Sequence, residues 1–183
     1  MNLRQLVENS DFDHSKYVAK ISTLMAEKAG FSQSEVSVIE QAALYHDIGK
    51  SSIPLAILNK PGKLTPQEFE LVRTHTAIGF QQIMDAVHVL SIASIVAREH
   101  HEREDGTGYM CLPGSDIHPY AKLISVADVF DALASRRAYK EPWSIADICD
   151  YFREGAGKQF DACFVNLLLG LLEDIKALYR QPT

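Results

Sequence analysis

Apolar residues recur at intervals of three and four along most of the chain, which is the period of amphipathic helices. The first such stripe comprises Tyr17, Val18, Ile21, Leu24 and Met25. Gly30 is well placed to end that helix, because glycine readily adopts the left-handed conformation found at helix C-termini. Alternating strand patterns are nearly absent. The pattern therefore predicts an all-α, single-domain helical bundle over residues 1–183.

Several helix boundaries carry local signals. Ser32 and Glu35 have the spacing of a capping box, and Thr65 and Glu68 have it too, with Pro66 at the first helical position. Further helices are predicted over residues 89–101, 120–137, 144–153 and 161–179. Residues 102–118 lack periodicity and are rich in glycine and proline, so we expect a long irregular loop there. Loops of this length in a compact domain are usually functional or disordered.

Composition and charge narrow the function classes. The chain has 18 basic and 24 acidic residues, a net charge of −6, which argues against binding polymeric nucleic acid. A few local cations would still suffice for a small phosphate ligand. The three cysteines form no CxxC pair, and the sequence shows no signal peptide or apolar run of about 20 residues. We therefore expect a soluble cytoplasmic protein that does not contact a membrane.

Two aspartates stand among apolar residues. Asp47 follows His46 at the end of an apolar helix, and Asp128 is flanked by Val126, Ala127, Val129 and Phe130. An ionised carboxylate in such surroundings is costly unless it is paired or bound to a metal. For Asp128 the alternative is a buried cap or a pair with an arginine.

The histidines and these aspartates recur every 25 to 32 residues. The positions are His14, His46, His75, His100 and, after His101, Asp128. Two helices and their connections take a chain out and back, so this recurrence returns side chains to one end of a bundle. Imidazole and carboxylate ligands without thiolate favour Fe, Mn or Zn. Five histidines and two aspartates exceed the needs of one tetrahedral ion and suggest two ions bridged by a carboxylate, which suits phosphoryl displacement.

The same residues resemble a known family. His46 to Lys50 reads HDIGK, similar to the signature of the HD phosphohydrolase superfamily, and residues 100–110 resemble the HHExxDGxGYP element of the HD-GYP family. Runs within residues 53–65, 127–133 and 157–161 also match, so the resemblance covers about residues 14–165. Met110 stands where the family has proline, and we expect that change to loosen the loop.

The resemblance implies an all-helical module that hydrolyses cyclic dinucleotides, usually cyclic di-GMP. We expect linear pGpG as the product, and whether hydrolysis continues to GMP stays open. It implies two divalent ions, Fe or Mn before Zn, and a metal-bridged hydroxide as nucleophile. The positions that match family metal ligands are His14, His46, Asp47, His75, His100, His101 and Asp128. Asp47 matches the bridging carboxylate. Some members hold a third ion through a glutamate, and the corresponding residue here is Ser10. Because a hydroxyl is a poor substitute for a carboxylate, we expect two ions. Asp11 is the nearby residue that could hold a third ion instead.

Further roles follow from the same resemblance. Lys50 matches a lysine near the scissile phosphate, and Asp131 a position near the substrate or the water structure of the site. Tyr109 belongs to the substrate loop. Arg137 and Lys140 match substrate-binding cations, although a solvated helix end is the plainer interpretation of both. We expect a regulatory domain or a diguanylate cyclase as partner.

Other functions stay open at this point. One is a sensor or cyclase-docking module that binds a cyclic dinucleotide without hydrolysing it. Another is an HD hydrolase acting on a different nucleotide, such as cyclic GMP–AMP. A helical protein whose histidines bind nothing is the remaining alternative.

Overall fold

The computed structural model describes residues 12–135 and 141–180. Its helices are α1 Phe12–Lys28, α2 Gln33–Tyr45, α3 Leu55–Leu58, α4 Pro66–Arg73, α5 His75–Val87, α6 Ile92–Glu99, α7 Pro119–Ala134, α8 Ile145–Gly155, α9 Ala162–Gly170 and α10 Leu172–Arg180. Short 3-10 helices cover Ile48–Ser52 and Gly114–Asp116. The described ranges hold no β-strand, only an isolated bridge between Ala156 and Phe160. The predicted all-α class is therefore confirmed.

Both predicted capping boxes are present. The Ser32 hydroxyl accepts a hydrogen bond from the Glu35 amide, and the Glu35 carboxylate accepts one from the Ser32 amide at 2.8 Å. Thr65 and Glu68 repeat the arrangement at the start of α4. These caps satisfy backbone donors that the first turn leaves without partners. The Ser32 cap fixes where α2 begins. His46 and Asp47 follow directly after Tyr45, the last residue of α2.

Three predicted helices were wrong in extent. The helix expected over 89–101 begins at Ile92, because Ser91 caps it and His88 ends α5 in the left-handed conformation. The helix expected over 161–179 is divided at Leu171 into α9 and α10. The break directly follows Gly170, and glycine has a low helix propensity. The helix expected over 120–137 is α7, which ends at Ala134 because Ser135 is already extended. Residues 136 and 137 lie outside the described residues. The loop expected at 102–118 is irregular apart from the 3-10 turn at Gly114–Asp116.

The core lies where α1 packs against α2 and α7, and where α6 contacts α2 and α5. Its largest fully buried side chains include Phe130, Phe152 and Phe160. Buried polar residues accompany this apolar core; those that matter below are His14, His46, Asp47, His75, His100, Glu102, Ser125, Asp128 and Asp131. Among the described residues, we find no helix with the length and apolar composition that a bilayer crossing requires.

The turn after Asp47 lies directly against α5. A Cβ added at Gly49 would overlap the carbonyl oxygen of His75 and lie 2.6 Å from the amide nitrogen of Gly79. Only glycine permits this approach. The absence of a side chain at Gly49 thus brings Asp47 and His75 to the same place.

Candidate metal centre

All seven predicted ligands meet in two adjacent groups. One group comprises Asp47, His75, His100 and His101, and the other His14, His46 and Asp128. Within each group the candidate ligating atoms lie within 4.8 Å of one another. Five separate elements supply them: α1, the end of α2, the start of α5, the end of α6 and the middle of α7.

Three imidazoles are held in one orientation by the backbone. His46 Nδ1 donates to the carbonyl of Ala43, and His75 Nδ1 to that of Val72, each at 2.6 Å. His100 Nδ1 lies 3.1 Å from each of two carbonyl oxygens of α6. Because a carbonyl can only accept, the proton belongs on Nδ1 and the Nε2 lone pair faces the centre. This is the arrangement that metal-ligating histidines adopt.

Asp47 lies between the two groups. Its Oδ1 is 3.3 Å from His75 Nε2 and 3.6 Å from His100 Nε2, while its Oδ2 is 3.4 Å from His46 Nε2. Asp47 Oδ1 and His46 Nε2 are buried without a hydrogen-bond partner among the described residues. Buried polar atoms without partners are rare and call for a ligand or an ordered water. A divalent cation would satisfy both atoms, so the donors fit the metal ions that the sequence predicts.

His14 is oriented by carboxylates. Its Nε2 lies 2.9 Å from Asp128 Oδ1, and its Nδ1 lies 2.5 Å from Asp131 Oδ2. Asp131 is buried and also accepts hydrogen bonds from Ser135 Oγ at 2.9 Å and Tyr179 Oη at 2.6 Å. Burial opposes protonation of His14, but the hydrogen bonds to Asp128 and Asp131 outweigh it and raise the pKa of His14 to about 9. Asp131 therefore acts through His14 in this structure.

The remaining groups have the charges that a cation requires. Burial lowers the pKa of His100 and lowers that of His101 further, with neighbouring imidazoles adding to the effect at His101. Burial opposes ionisation of Asp47, but the charge of Lys50 and the nearby histidines hold its pKa well below the usual range. These histidines are thus neutral and Asp47 ionised near neutral pH, as metal binding needs.

Lys50 stands at the edge of the centre. Its Nζ donates to Asp47 Oδ2, and 24% of its side chain is exposed. The ammonium group is therefore close to both the buried carboxylate and solvent.

The sequence profile of the HD domain family matches residues 2–163. The chain belongs to the HD domain family. The family predicted from the histidine motifs is thereby confirmed. HD domain phosphohydrolases are metal-dependent, and the two groups described above could hold metal ions.

Three relatives illustrate the similarity of this HD domain to known proteins. It is 39% identical over 172 residues to the cyclic di-GMP phosphodiesterase response regulator RpfG of Xanthomonas campestris, covering 91% of this chain and 46% of that protein. It is 37% identical over 158 residues to the 3'3'-cGAMP-specific phosphodiesterase 2 of Vibrio cholerae, covering 85% and 30%. The structure of Bd1817, an HDG"Y"P protein from Bdellovibrio bacteriovorus, matches with a TM-score of 0.74 and 23% identity, covering 90% of this chain and 53% of that chain. The chain thus spans about half the length, or less, of these relatives.

The loop that carries Tyr109 is anchored beside the HD domain histidines. The Tyr109 ring centroid lies 4.7 Å from that of His101. Arg73 donates to the Tyr109 carbonyl at 2.5 Å, and its guanidinium carbon lies 5.1 Å from the centroid of the Tyr109 ring. Burial raises the pKa of the Tyr109 hydroxyl, which keeps it protonated.

Glu102 anchors the same loop through hydrogen bonds to its backbone. Its buried carboxylate accepts hydrogen bonds from the amides of Met110 at 2.7 Å and Leu112 at 2.9 Å. A Cβ on Gly108 would lie 2.5 Å from the Cα of Glu102, so glycine permits the close packing. Proline at position 110 would lack the N–H that Met110 donates. Where we expected a looser loop, methionine thus supplies an anchoring hydrogen bond.

Some predicted residues fall elsewhere. Ser10, Asp11, Arg137 and Lys140 lie outside the described residues. His88 and His118 belong to neither group; His118 instead caps α7 by accepting from the Tyr120 amide at 3.1 Å.

Sequence reasoning did not assign roles to Arg73, Glu102 or Tyr179. Glu102 directly follows the histidine pair, and Arg73 precedes His75 by two residues, so sequence proximity could have signalled both. Tyr179 is 48 residues from Asp131, and nothing in the local pattern indicates their contact.

Proposed function

We propose that this HD domain is a metal-dependent phosphodiesterase that opens a cyclic dinucleotide, with cyclic di-GMP as substrate and linear pGpG as product. The observation that carries the proposal is the position of Asp47 between two adjacent groups of buried histidines, with an oxygen directed to each. Relatives that are named phosphodiesterases of cyclic di-GMP and of 3'3'-cGAMP support it.

We further propose that two divalent ions, Fe or Mn before Zn, occupy the centre. Such ions, when bound, activate water and neutralise charge during displacement at phosphorus. Asp47 would hold both ions. His75, His100 and His101 would complete one coordination shell, while His14, His46 and Asp128 would complete the other.

Lys50 is proposed to act on the phosphate. Its ammonium group lies beside Asp47 and reaches solvent, so it can donate a hydrogen bond to a non-bridging oxygen of a phosphate at the centre. In the reaction, water attacks phosphorus and the P–O3′ bond breaks. The attacking water gives up one proton to solvent, and the leaving 3′ oxygen takes up a proton that Lys50 would donate.

Other residues would bind or position the substrate. Tyr109 offers a ring wall next to His101, where a sugar or base can pack. Asp131 positions His14 through their hydrogen bond. Arg137 and Lys140, from the sequence alone, would supply cations to a dianionic substrate in a chain of net charge −6. A regulatory domain or diguanylate cyclase as partner, and a cytoplasmic location, stay predictions.

The proposal is tested by anaerobic loading of the purified chain with Fe(II) or Mn(II) and incubation with cyclic di-GMP or 3'3'-cyclic GMP–AMP. Chromatography should show conversion of cyclic di-GMP to pGpG. Asp47→Ala should abolish it, whereas Asp150→Ala, the same substitution at an exposed residue of α8, should not. Intact cyclic di-GMP in the presence of either bound metal would support the binding-module function instead. Faster turnover of cyclic GMP–AMP would show that the substrate assignment is wrong.

A further inference from the structure

A small pocket opens beside the metal centre on the far side of His101. Its volume is about 160 Å³, and its walls include His101, Tyr109, Ser125, Val129 and Gln159. This volume is about half the lower end of the ~300–1,000 Å³ range typical of pockets for drug-sized ligands. The pocket, called the His101 side pocket below, therefore suits a single ring system rather than a whole dinucleotide.

Ser125 forms a polar part of this pocket. It lies on α7, three residues before Asp128, so the two side chains share one face of the helix. The residue is 7% exposed and lines the pocket. A serine hydroxyl can both donate and accept a hydrogen bond. Ser125 therefore offers a polar contact to a ligand in the pocket.

Gln159 adds a hydrogen-bond donor to the lining of the pocket. Its Oε1 accepts a hydrogen bond from the Tyr151 hydroxyl at 2.9 Å, which fixes the amide and leaves its NH₂ group to donate. Arg103, a further wall residue, is held by Asp105 at 3.1 Å and adds positive charge. Val129 and the Tyr109 ring supply apolar surface. The His101 side pocket thus combines flat apolar surface with hydrogen-bond donors.

We propose that the His101 side pocket binds one purine base of the substrate and prefers guanine to adenine. Guanine presents the acceptors O6 and N7 on one edge, whereas adenine presents an amino donor in place of O6. The NH₂ group of Gln159 and the guanidinium of Arg103 can only donate, so they match the guanine edge and oppose the adenine amino group. Because His101 belongs to both the pocket and the metal centre, base and phosphate of one nucleotide would occupy adjacent sites. The inference rests on the proposed function.

The first test uses Gln159→Glu, which keeps the side-chain shape and the acceptor for Tyr151 but replaces the NH₂ donor by an acceptor. Gln41→Glu on the exposed face of α2 controls for the added charge. For metal-loaded protein, kcat/KM on cyclic di-GMP should fall about tenfold, mainly through KM, as expected for loss of a base-reading contact. Hydrolysis of bis(p-nitrophenyl) phosphate, which has no purine, should stay within about twofold of wild type. Equal losses on both substrates would overturn the proposal.

The second test does not depend on turnover. Calorimetric titration of the metal-free protein should show tighter binding of pGpG than of pApA. Gln159→Glu should reduce that preference, and Ser125→Ala, which is compatible with a helix, should weaken pGpG binding severalfold. Equal affinities for the two dinucleotides, or no binding of either, would overturn the proposal. Wild-type protein that binds pGpG selectively yet hydrolyses neither cyclic di-GMP nor bis(p-nitrophenyl) phosphate would refute the proposed function. The assignment of the His101 side pocket to guanine would then still stand.

Discussion

The two oxygens of Asp47 face different groups of histidines, while Lys50 contacts the same carboxylate from the solvent side. Asp47→Ala should therefore remove both metal ions and all turnover. Lys50→Ala should keep both ions and lower kcat about 100-fold, the scale of losing one donor to the transition state. Elemental analysis of each variant, paired with its rate on cyclic di-GMP, measures the difference. Metal loss in Lys50→Ala equal to that in Asp47→Ala would show that the role of Lys50 is misassigned.

His14 makes a separate prediction for the protein with its metals removed by a chelator. Because the pKa of His14 is raised to about 9 in the folded state, the folded protein holds a proton that the unfolded chain loses above about pH 6.5. The free energy of unfolding should therefore be highest below pH 6.5 and fall by up to about 3 kcal/mol as the pH rises through 9.

Urea unfolding between pH 6.5 and 9.5 measures this dependence. Asp131→Asn removes one of the two carboxylates that stabilise the imidazolium, and so should flatten it. A slope that persists unchanged in His14→Gln would show that another group is responsible.

At the scale of elements, the 3-10 turn at Ile48–Ser52 and α5 depend on contact through Gly49. Gly49→Ala should cost about 1–3 kcal/mol by overpacking, and should also weaken metal binding because Asp47 and His75 move apart. Gly170→Ala is the matched control, since an added Cβ there meets nothing within 4 Å and alanine favours the end of α9. Thermal unfolding compares the two. A melting temperature for Gly49→Ala equal to that of Gly170→Ala would contradict the argument.

Helix starts were predicted better than helix continuity. Ser32 and Thr65 act through residues only three positions away, so their capping boxes are visible in the sequence. The break at Leu171 escaped the apolar pattern because the apolar residues continue on both sides of it. Contacts between α10 and α7, such as that of Tyr179 with Asp131, depend on tertiary packing and have no local signal.

At the scale of the whole molecule, the spacing of histidines and aspartates sufficed to predict that seven side chains converge. Out-and-back helices dictate that convergence whatever their exact ends. Spacing could not predict how each imidazole is oriented, since the carbonyls of Ala43 and Val72 depend on helix-end geometry. Nor could it predict the His101 side pocket, which joins α7 to residues of the 102–118 loop and to Gln159.

We propose that the domain hydrolyses cyclic di-GMP with two ions held by these seven side chains. The most direct measurement plots turnover of cyclic di-GMP against the number of Mn(II) or Fe(II) ions bound per chain, determined on the same anaerobic samples. We expect little turnover up to one ion, a rise with the second and a plateau at two. Full turnover with one ion, a requirement for a third, or no turnover with two ions bound would contradict it.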